Sequence, residues 1–387
     1  MEKSLFKPLA VGRFQLEHRI VLAPLTRSRG TERDSDGNES LANELMVTYF
    51  DCNKNQNQLN RKQATYYAQR TTQGGLLISE ASPICPEGRF SILTPSLYSS
   101  EHIRQWNATT TAVHEKGGFI FAQLWHLGMH SRPHLDPLNR SPAAPSEFNR
   151  ESDGTPTRAL TLQEISDTIN LYVQAAKNAI EAGFDGVEIH GANGYLVDQF
   201  LNDNINKRSD SYGSTTLENK CRFATQVTKA VADAIGADRT GIRLSPWNKF
   251  GGMNDSDPIK TWSYLLESLN PLGLAYVHLV EPRVAGAGDS SVEFDAKVVN
   301  LSEFRKVWKG VLIVAGGYLP DSAENAVDKG RADLVAFGRY FISNPDLVYR
   351  IKEGLPFTKY DRPTFQVGGE TGYIDYKTWA EGRKQGE

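Results

Sequence analysis

Residues Gly183 to Tyr195 read GFDGVEIHGANGY. The apolar, β-capable run Phe184 to Ile189 predicts a strand, and that strand stops at His190. A short turn then presents Asn193 and Tyr195. Three hydrogen-bonding side chains therefore meet at one strand end. His190 and Asn193 can donate to a single oxygen, and Tyr195 can supply a proton nearby. That set suits polarising a carbonyl and protonating the carbon beside it.

Seven further runs resemble this strand. They are Arg19–Leu25, Gly75–Glu80, Phe119–Trp125, Thr240–Leu244, Ala275–Val280, Val311–Ala315 and Asp333–Phe337. Amphipathic segments lie between most of them. Thr161-Leu-Gln-Glu164 reads as a capping box, with Ile165, Ile169, Tyr172, Ala176 and Ala179 following at helical spacing. Leu217–Ile235, Pro258–Leu269, Leu301–Trp308 and Ser322–Lys329 also read as helices. Eight strands alternating with helices fit a (β/α)8 barrel or a doubly wound sheet. The count and spacing favour the TIM barrel, read here as one domain over residues 1–387. The reactive residues support it, because they fall at C-terminal strand ends: Pro24-Leu25-Thr26 after the first strand, Gln123 and Trp125 on the third, His190 on the fourth and Arg243 on the fifth. Gly316-Gly317 and Gly338-Arg339 follow the seventh and eighth, where barrels commonly hold a phosphate on backbone N–H groups. No GxGxxG opens a helix after a strand, which argues against a dinucleotide fold. Two stretches break the pattern. Residues 30–62 read as a polar, Asn/Gln-rich insertion, and residues 130–156 as a loop over the barrel mouth.

Composition narrows the class. The 387 residues are 39% hydrophobic and 23% charged, as in an ordinary globular chain. A net charge of −3 gives no basic signal for nucleic acid or anionic membrane. No apolar run is long enough to span a bilayer, and the N-terminal residues lack the apolar core of a signal peptide. Three scattered cysteines, Cys52, Cys85 and Cys221, argue against a disulfide framework and point to a reducing compartment, most simply the cytoplasm. His126, Glu80 and His278 lack metal-ligand spacing, so no metal is expected. The charged faces of Glu101–Lys116 and Glu218–Asp238 read as solvated.

Together, RIVLAPLTRSR, QLWHLG, GFDGVEIHGANGYLVDQFLND, NKRSDSYGS, IRLSP, VAGGY and DLVAFGRYFISNPDL closely resemble the old yellow enzyme family, within it the 12-oxophytodienoate reductase branch. The similarity runs from about Leu5 to about Trp379. It implies a barrel holding non-covalent FMN, reduced by NADPH, that reduces the C=C bond of α,β-unsaturated carbonyl compounds, with 12-oxophytodienoate-like oxylipins among the enones. It assigns Pro24, Leu25 and Thr26 to the flavin ring, with the Thr26 hydroxyl donating to a flavin carbonyl. Ala81 and Gln123 fall at the ring's polar edge and Arg243 at its pyrimidine end. Ala315, Gly316, Gly317, Gly338 and Arg339 are assigned to the phosphate. His190 and Asn193 would bind the substrate carbonyl oxygen and Tyr195 would donate the proton, with Trp125 and Gln366 at the substrate pocket. The partner is then a small-molecule enone, handled by a monomer or homodimer.

Three departures stand out. The family's YYAQR block arrives late, at Tyr66–Arg70, after the polar segment. Met129 stands where WHxGR would put an arginine. Gln366 replaces the tyrosine of TFY. Taken singly, the residues keep plainer readings: His190 as a satisfied core histidine, Tyr195 as packing, Arg243 as a barrel ion pair, Gly316-Gly317 as a turn, Trp125 as pocket wall or core. The residues alone also leave open a non-redox barrel lyase or isomerase holding a phosphorylated substrate, and a non-catalytic binding protein.

Overall fold

The computed structural model describes residues 3–29, 56–281, 301–366 and 369–384. Eight parallel strands close on themselves: β1 (Ile20–Leu22), β2 (Leu76–Ile78), β3 (Phe119–Trp125), β4 (Gly186–Gly191), β5 (Thr240–Leu244), β6 (Tyr276–Val280), β7 (Leu312–Ala315) and β8 (Leu334–Phe337). Each pairs with its sequence neighbours, β8 pairs with β1, and the ring shuts between β2 and β3. This is the (β/α)8 barrel expected from the sequence.

Parallel strands buried on both faces divide their side chains by the pleat. Ile120, Ala122 and Leu124 of β3, with Val187 and Ile189 of β4, face outward into one large core shared with the helices. Phe121, Tyr276, Ile313, Leu334, Val21 and Leu76 form a second cluster with Val11 and Leu16. Val11 and Leu16 belong to an N-terminal hairpin, Leu9–Val11 paired antiparallel with Phe14–Leu16, whose Phe14 ring meets Phe119 and Phe121 at 5.1 and 5.7 Å. The hairpin plugs the N-terminal end of the barrel. Gly186 and Gly241 leave room for this layer: a Cβ on either would lie within 2.6 Å of the Phe121 or Tyr276 ring.

Continuing along the same inward rows, the side chains turn polar. Gln123 stands opposite Glu188, and Arg243 lies between His190 and His278 in register. The barrel is therefore apolar at its base and hydrogen-bonding at its mouth.

Five of the helices are α1 (Gln56–Arg70), α2 (Ser100–His114), α3 (Leu162–Glu181), α4 (Leu196–Leu201) and α5 (Leu217–Ile235). The capping box closes as expected, with Glu164 N–H on Thr161 Oγ1 at 3.1 Å and Thr161 N–H on Glu164 Oε2 at 2.8 Å. Two readings need correction. The end of the segment read as a polar insertion is already α1 from Gln56; the rest, residues 30–55, lies outside the described residues. The face of Glu218–Asp238 is not wholly solvated: Lys220 is buried and bonds Asp255 and, at 3.2 Å, Asp203. Residues 130–156 carry short helical turns and a two-residue strand, Ala143–Ala144, paired with Arg158–Ala159. No described helix is long and apolar enough to cross a membrane.

Candidate active site

The end of β4 gathers four rings. His190 lies parallel to Trp125 of β3 at 6.0 Å, and Tyr195 stands edge-on to Trp125 at 4.8 Å and to His190 at 4.9 Å. His130 closes the far side at 6.1 Å from Tyr195. Burial and the positive charge of Arg243 hold the His190 imidazole well below its ordinary value, so the ring is neutral. Burial pushes the Tyr195 phenol up to about 12, against the pull of Arg243. A neutral imidazole and a protonated phenol thus face the same space. Asn193 adds an amide from a left-handed turn, φ 58°.

Below them lies a polar floor. Gln123 Nε2 donates to Glu188 Oε1 at 2.7 Å, and His278 Nδ1 donates to Glu188 Oε2 at 2.8 Å. Because a carboxylate only accepts, Glu188 fixes the Gln123 amide and leaves its carbonyl oxygen as an acceptor elsewhere. Arg243 Nε, His190 Nδ1 and Trp125 Nε1 are buried with no protein partner among the described residues.

One side wall comes from β1. Pro24 is buried, Leu25 and Thr26 are half-buried. Glu80 Oε2 fixes the chain just beyond them by accepting Arg27 N–H at 3.1 Å and Ser28 N–H at 2.9 Å. Ala81 packs with Trp125, Leu127, Phe90 and Tyr195. At β7, Ala315 leads into Gly316 and Gly317, with φ of 154° and 71°, both in the region that favours glycine. A Cβ on Gly316 would sit 2.6 Å from Glu281 Cβ, and one on Gly338 3.1 Å from Leu25. Arg339 follows Gly338 and donates to Tyr360 OH at 3.1 Å.

The barrel mouth therefore brings together Gln123, Trp125, His190, Asn193, Tyr195 and Arg243. The glycines and Arg339 are joined to this wall through the Gly338–Leu25 approach. Gln366 is exposed on the C-terminal segment. Met129 is buried with Ala144, Ile205 and Met253. These residues fit FMN. A buried guanidinium nitrogen without an acceptor and a free amide carbonyl match a ring edge carrying both acceptors and an N–H. Gly316 and Gly338, where a Cβ would press on Glu281 or Leu25, together with Gly317, match a phosphate gripped by backbone N–H groups.

Sequence reasoning missed two sets of residues. One is a clamp: Arg27 donates to the carbonyls of Phe365 and Gly372 at 2.8 and 2.6 Å, and Arg70 to Phe341, Ile342 and Tyr373 at 2.9, 2.6 and 3.2 Å. Tyr66 and Tyr373 stack between these arginines at 4.5 Å. It had no local signal in the sequence, since Arg27 stands beside Thr26, Ser28 and Arg29 and Arg70 beside Gln69, Thr71 and Thr72, with partners too distant to guess. The other set is Asp198, Gln199 and Ser245 beneath the Asn193 turn; a carboxylate inside the apolar run LVDQFL was the available signal.

An eight-stranded barrel with a phenol, an imidazole and an amide over a buried arginine defines a flavin-dependent oxidoreductase. The chain belongs to the NADH:flavin oxidoreductase / NADH oxidase family, which matches residues 37–358, and within it to the old yellow enzymes. It is 40% identical to 12-oxophytodienoate reductase 2 of Arabidopsis thaliana over 96% of this chain and 95% of that one. Morphinone reductase, solved in complex with tetrahydroNAD, superposes with a TM-score of 0.84 at 37% identity, covering 98% of both chains. An old yellow enzyme homologue from Zymomonas mobilis gives 0.83 at 36%, covering 97% of this chain and 99% of that one.

Proposed function

We propose that this protein reduces the C=C bond of α,β-unsaturated carbonyl compounds with NADPH as the electron donor, and that cyclic enones, 12-oxophytodienoate-like oxylipins among them, are its substrates. The observation that carries the reading is the neutral His190 and protonated Tyr195 packed edge to face, with Asn193 on the adjoining turn. Thr26, Gln123 and Arg243 would hold the ring of FMN and Gly316, Gly317, Gly338 and Arg339 its phosphate, and the bound group would supply the hydride that the substrate β-carbon gains.

The protein residues do the rest. His190 and Asn193 donate to the carbonyl oxygen, where enolate charge gathers as the β-carbon gains its hydride. Each well-aimed donor is worth roughly 3–4 kcal/mol at that point. Tyr195 then passes its proton to the α-carbon, which balances the reaction and leaves the saturated carbonyl compound. The positive charge of buried Arg243 would stabilise negative charge developing on a ring held beside it. Trp125 and Ala81 form the apolar wall that keeps water from these groups. The relatives' names, one a 12-oxophytodienoate and one a morphinone reductase, point to bulky ring enones and leave the choice among them to the pocket rim.

The test is the visible spectrum of the purified protein, taken anaerobically before and after NADPH and again after cyclohexenone, with NADH and 12-oxophytodienoate run alongside. Bleaching by NADPH followed by recovery with the enone supports the reading. A protein that neither carries nor takes up FMN overturns it and leaves a phosphate-binding barrel of another chemistry.

A further inference from the structure

The LVDQF run marks the family in the sequence, yet the proposed chemistry leaves Asp198 and Gln199 without a role. Both are fully buried in the first turn of α4, directly after Tyr195. The turn above them is conformationally costly. Asn193 and Gly194 are left-handed in succession, at φ 58° and 79°. Asn tolerates that region better than other non-glycine residues, yet it stays there only where its surroundings hold it.

They enforce it at Asn193 N–H, Gly194 N–H and Gly194 C=O. Gly194 N–H donates to Asp198 Oδ2 at 2.8 Å. Asn193 N–H donates to Ser245 Oγ at 2.7 Å, and Ser245 Oγ in turn donates to Asp198 Oδ2 at 3.3 Å. Gln199 Nε2 donates to Gly194 C=O at 2.7 Å and to Leu127 C=O at 3.1 Å, while its Oε1 accepts Met129 N–H at 3.1 Å. Asn202 Nδ2 donates to Asp198 Oδ1 at 3.1 Å. One carboxylate thus ties α4, the end of β5 and the turn after β4 together. Its neighbours Gly194, Asn202, Ser245 and Asn248 are all uncharged, and burial pushes its carboxyl up to about 7. A buried carboxylate without a counter-ion weakens a fold. Packing alone gives no reason for it here, whereas an acceptor for two converging donors does.

We propose that Asp198, acting through Ser245, is a positioning residue that holds Asn193 and Tyr195 in their reactive arrangement. The proposal rests on the roles given above to those two side chains. Its test is the binding of 4-hydroxybenzaldehyde to the FMN-loaded protein, read as the change in the flavin's visible band, with FMN content and melting temperature measured in parallel. Asp198→Ala is expected to weaken the phenol about ten- to a hundred-fold, the cost of leaving such donors unpaired, at unchanged FMN content. Asp198→Asn, whose amide oxygen still accepts Gly194 N–H, is expected to restore most of the affinity. Ser245→Ala, which removes only the link to Asn193 N–H, is expected to lose about ten-fold, and it decides the matter if Asp198→Ala fails to fold. Wild-type affinity in Asp198→Ala or Ser245→Ala, or equal loss in the Asn and Ala variants, overturns the proposal. Failure of the functional reading is distinguishable, because the wild-type protein itself would then bind no phenol.

Discussion

Tyr195→Phe isolates a single proton. The ring keeps its contacts with Trp125, His190 and His130 at 4.8, 4.9 and 6.1 Å, so the substitution deletes the hydroxyl without opening a cavity. Loss of a placed general acid slows its step by roughly 10²–10⁴, a barrier increase of about 3–5 kcal/mol. Only the half-reaction that protonates the α-carbon needs this acid. Anaerobic stopped-flow separates the two halves. NADPH is expected to bleach the variant's visible band at the wild-type rate, while cyclohexenone restores the band of the reduced variant 10²–10⁴ times more slowly. The acidity of the phenol adds a second readout. With its proton held up to a pH of about 12, the wild-type enone rate is expected to stay flat through neutral and mildly alkaline pH. A variant that keeps both wild-type rates refutes the assignment of Tyr195 as the acid.

Three further outcomes are expected. His190→Ala combined with Asn193→Ala removes both donors to the carbonyl oxygen, and titration with 4-hydroxybenzaldehyde should give no spectral change while FMN stays bound. Gly316→Ala drives a methyl to within 2.6 Å of Glu281 Cβ, and the purified variant should carry less FMN by absorbance ratio than the wild type; full occupancy would remove the glycine pair from the phosphate site. Burial holds His18 and His126 at about 4 against an ordinary 6.5, so they are neutral in the fold. The stability they contribute is present above pH 6.5 and is lost as pH falls toward 4, up to about 3 kcal/mol each. Asp198 runs the other way: burial raises its carboxyl from 3.8 to about 7, so its contribution is full below pH 3.8 and is lost as pH climbs from there to about 7. Between about pH 4 and 7 the two effects therefore oppose each other, so the melting temperature of Asp198→Asn is expected to fall more steeply than that of the wild type as pH drops from 7 to 4, the two curves running parallel above about pH 8.

The barrel was legible because all eight strands are short apolar runs ending in residues with chemistry, and the pleat assigns those residues inward. Phe121, Gln123 and Trp125 alternate with Ile120, Ala122 and Leu124, a period that survives folding unchanged. The site was legible for the same reason, since a strand end is a position in space as well as in sequence. What escaped were features whose cause lies elsewhere in the chain. The opening of α1 has no apolar period, and its helix is secured further on by Tyr66 and Tyr67, which are buried. Lys220 looked solvent-facing because Asp255 comes 35 residues later. Asp198 drew no reading because Ser245, which explains it, sits 47 residues away, just past the end of the next strand.

The arginine clamp has a consequence for the order of events during synthesis. Arg27 follows the loop after β1, yet its acceptors are the carbonyls of Phe365 and Gly372, more than 335 residues downstream. Until the ribosome has extended the chain past Gly372, the Arg27 guanidinium destined for the interior lacks these carbonyl acceptors, and the first wall of the cleft lacks its brace. A nascent fragment that stops short of Gly372, however much of the barrel it contains, thus lacks the brace behind Pro24, Leu25 and Thr26.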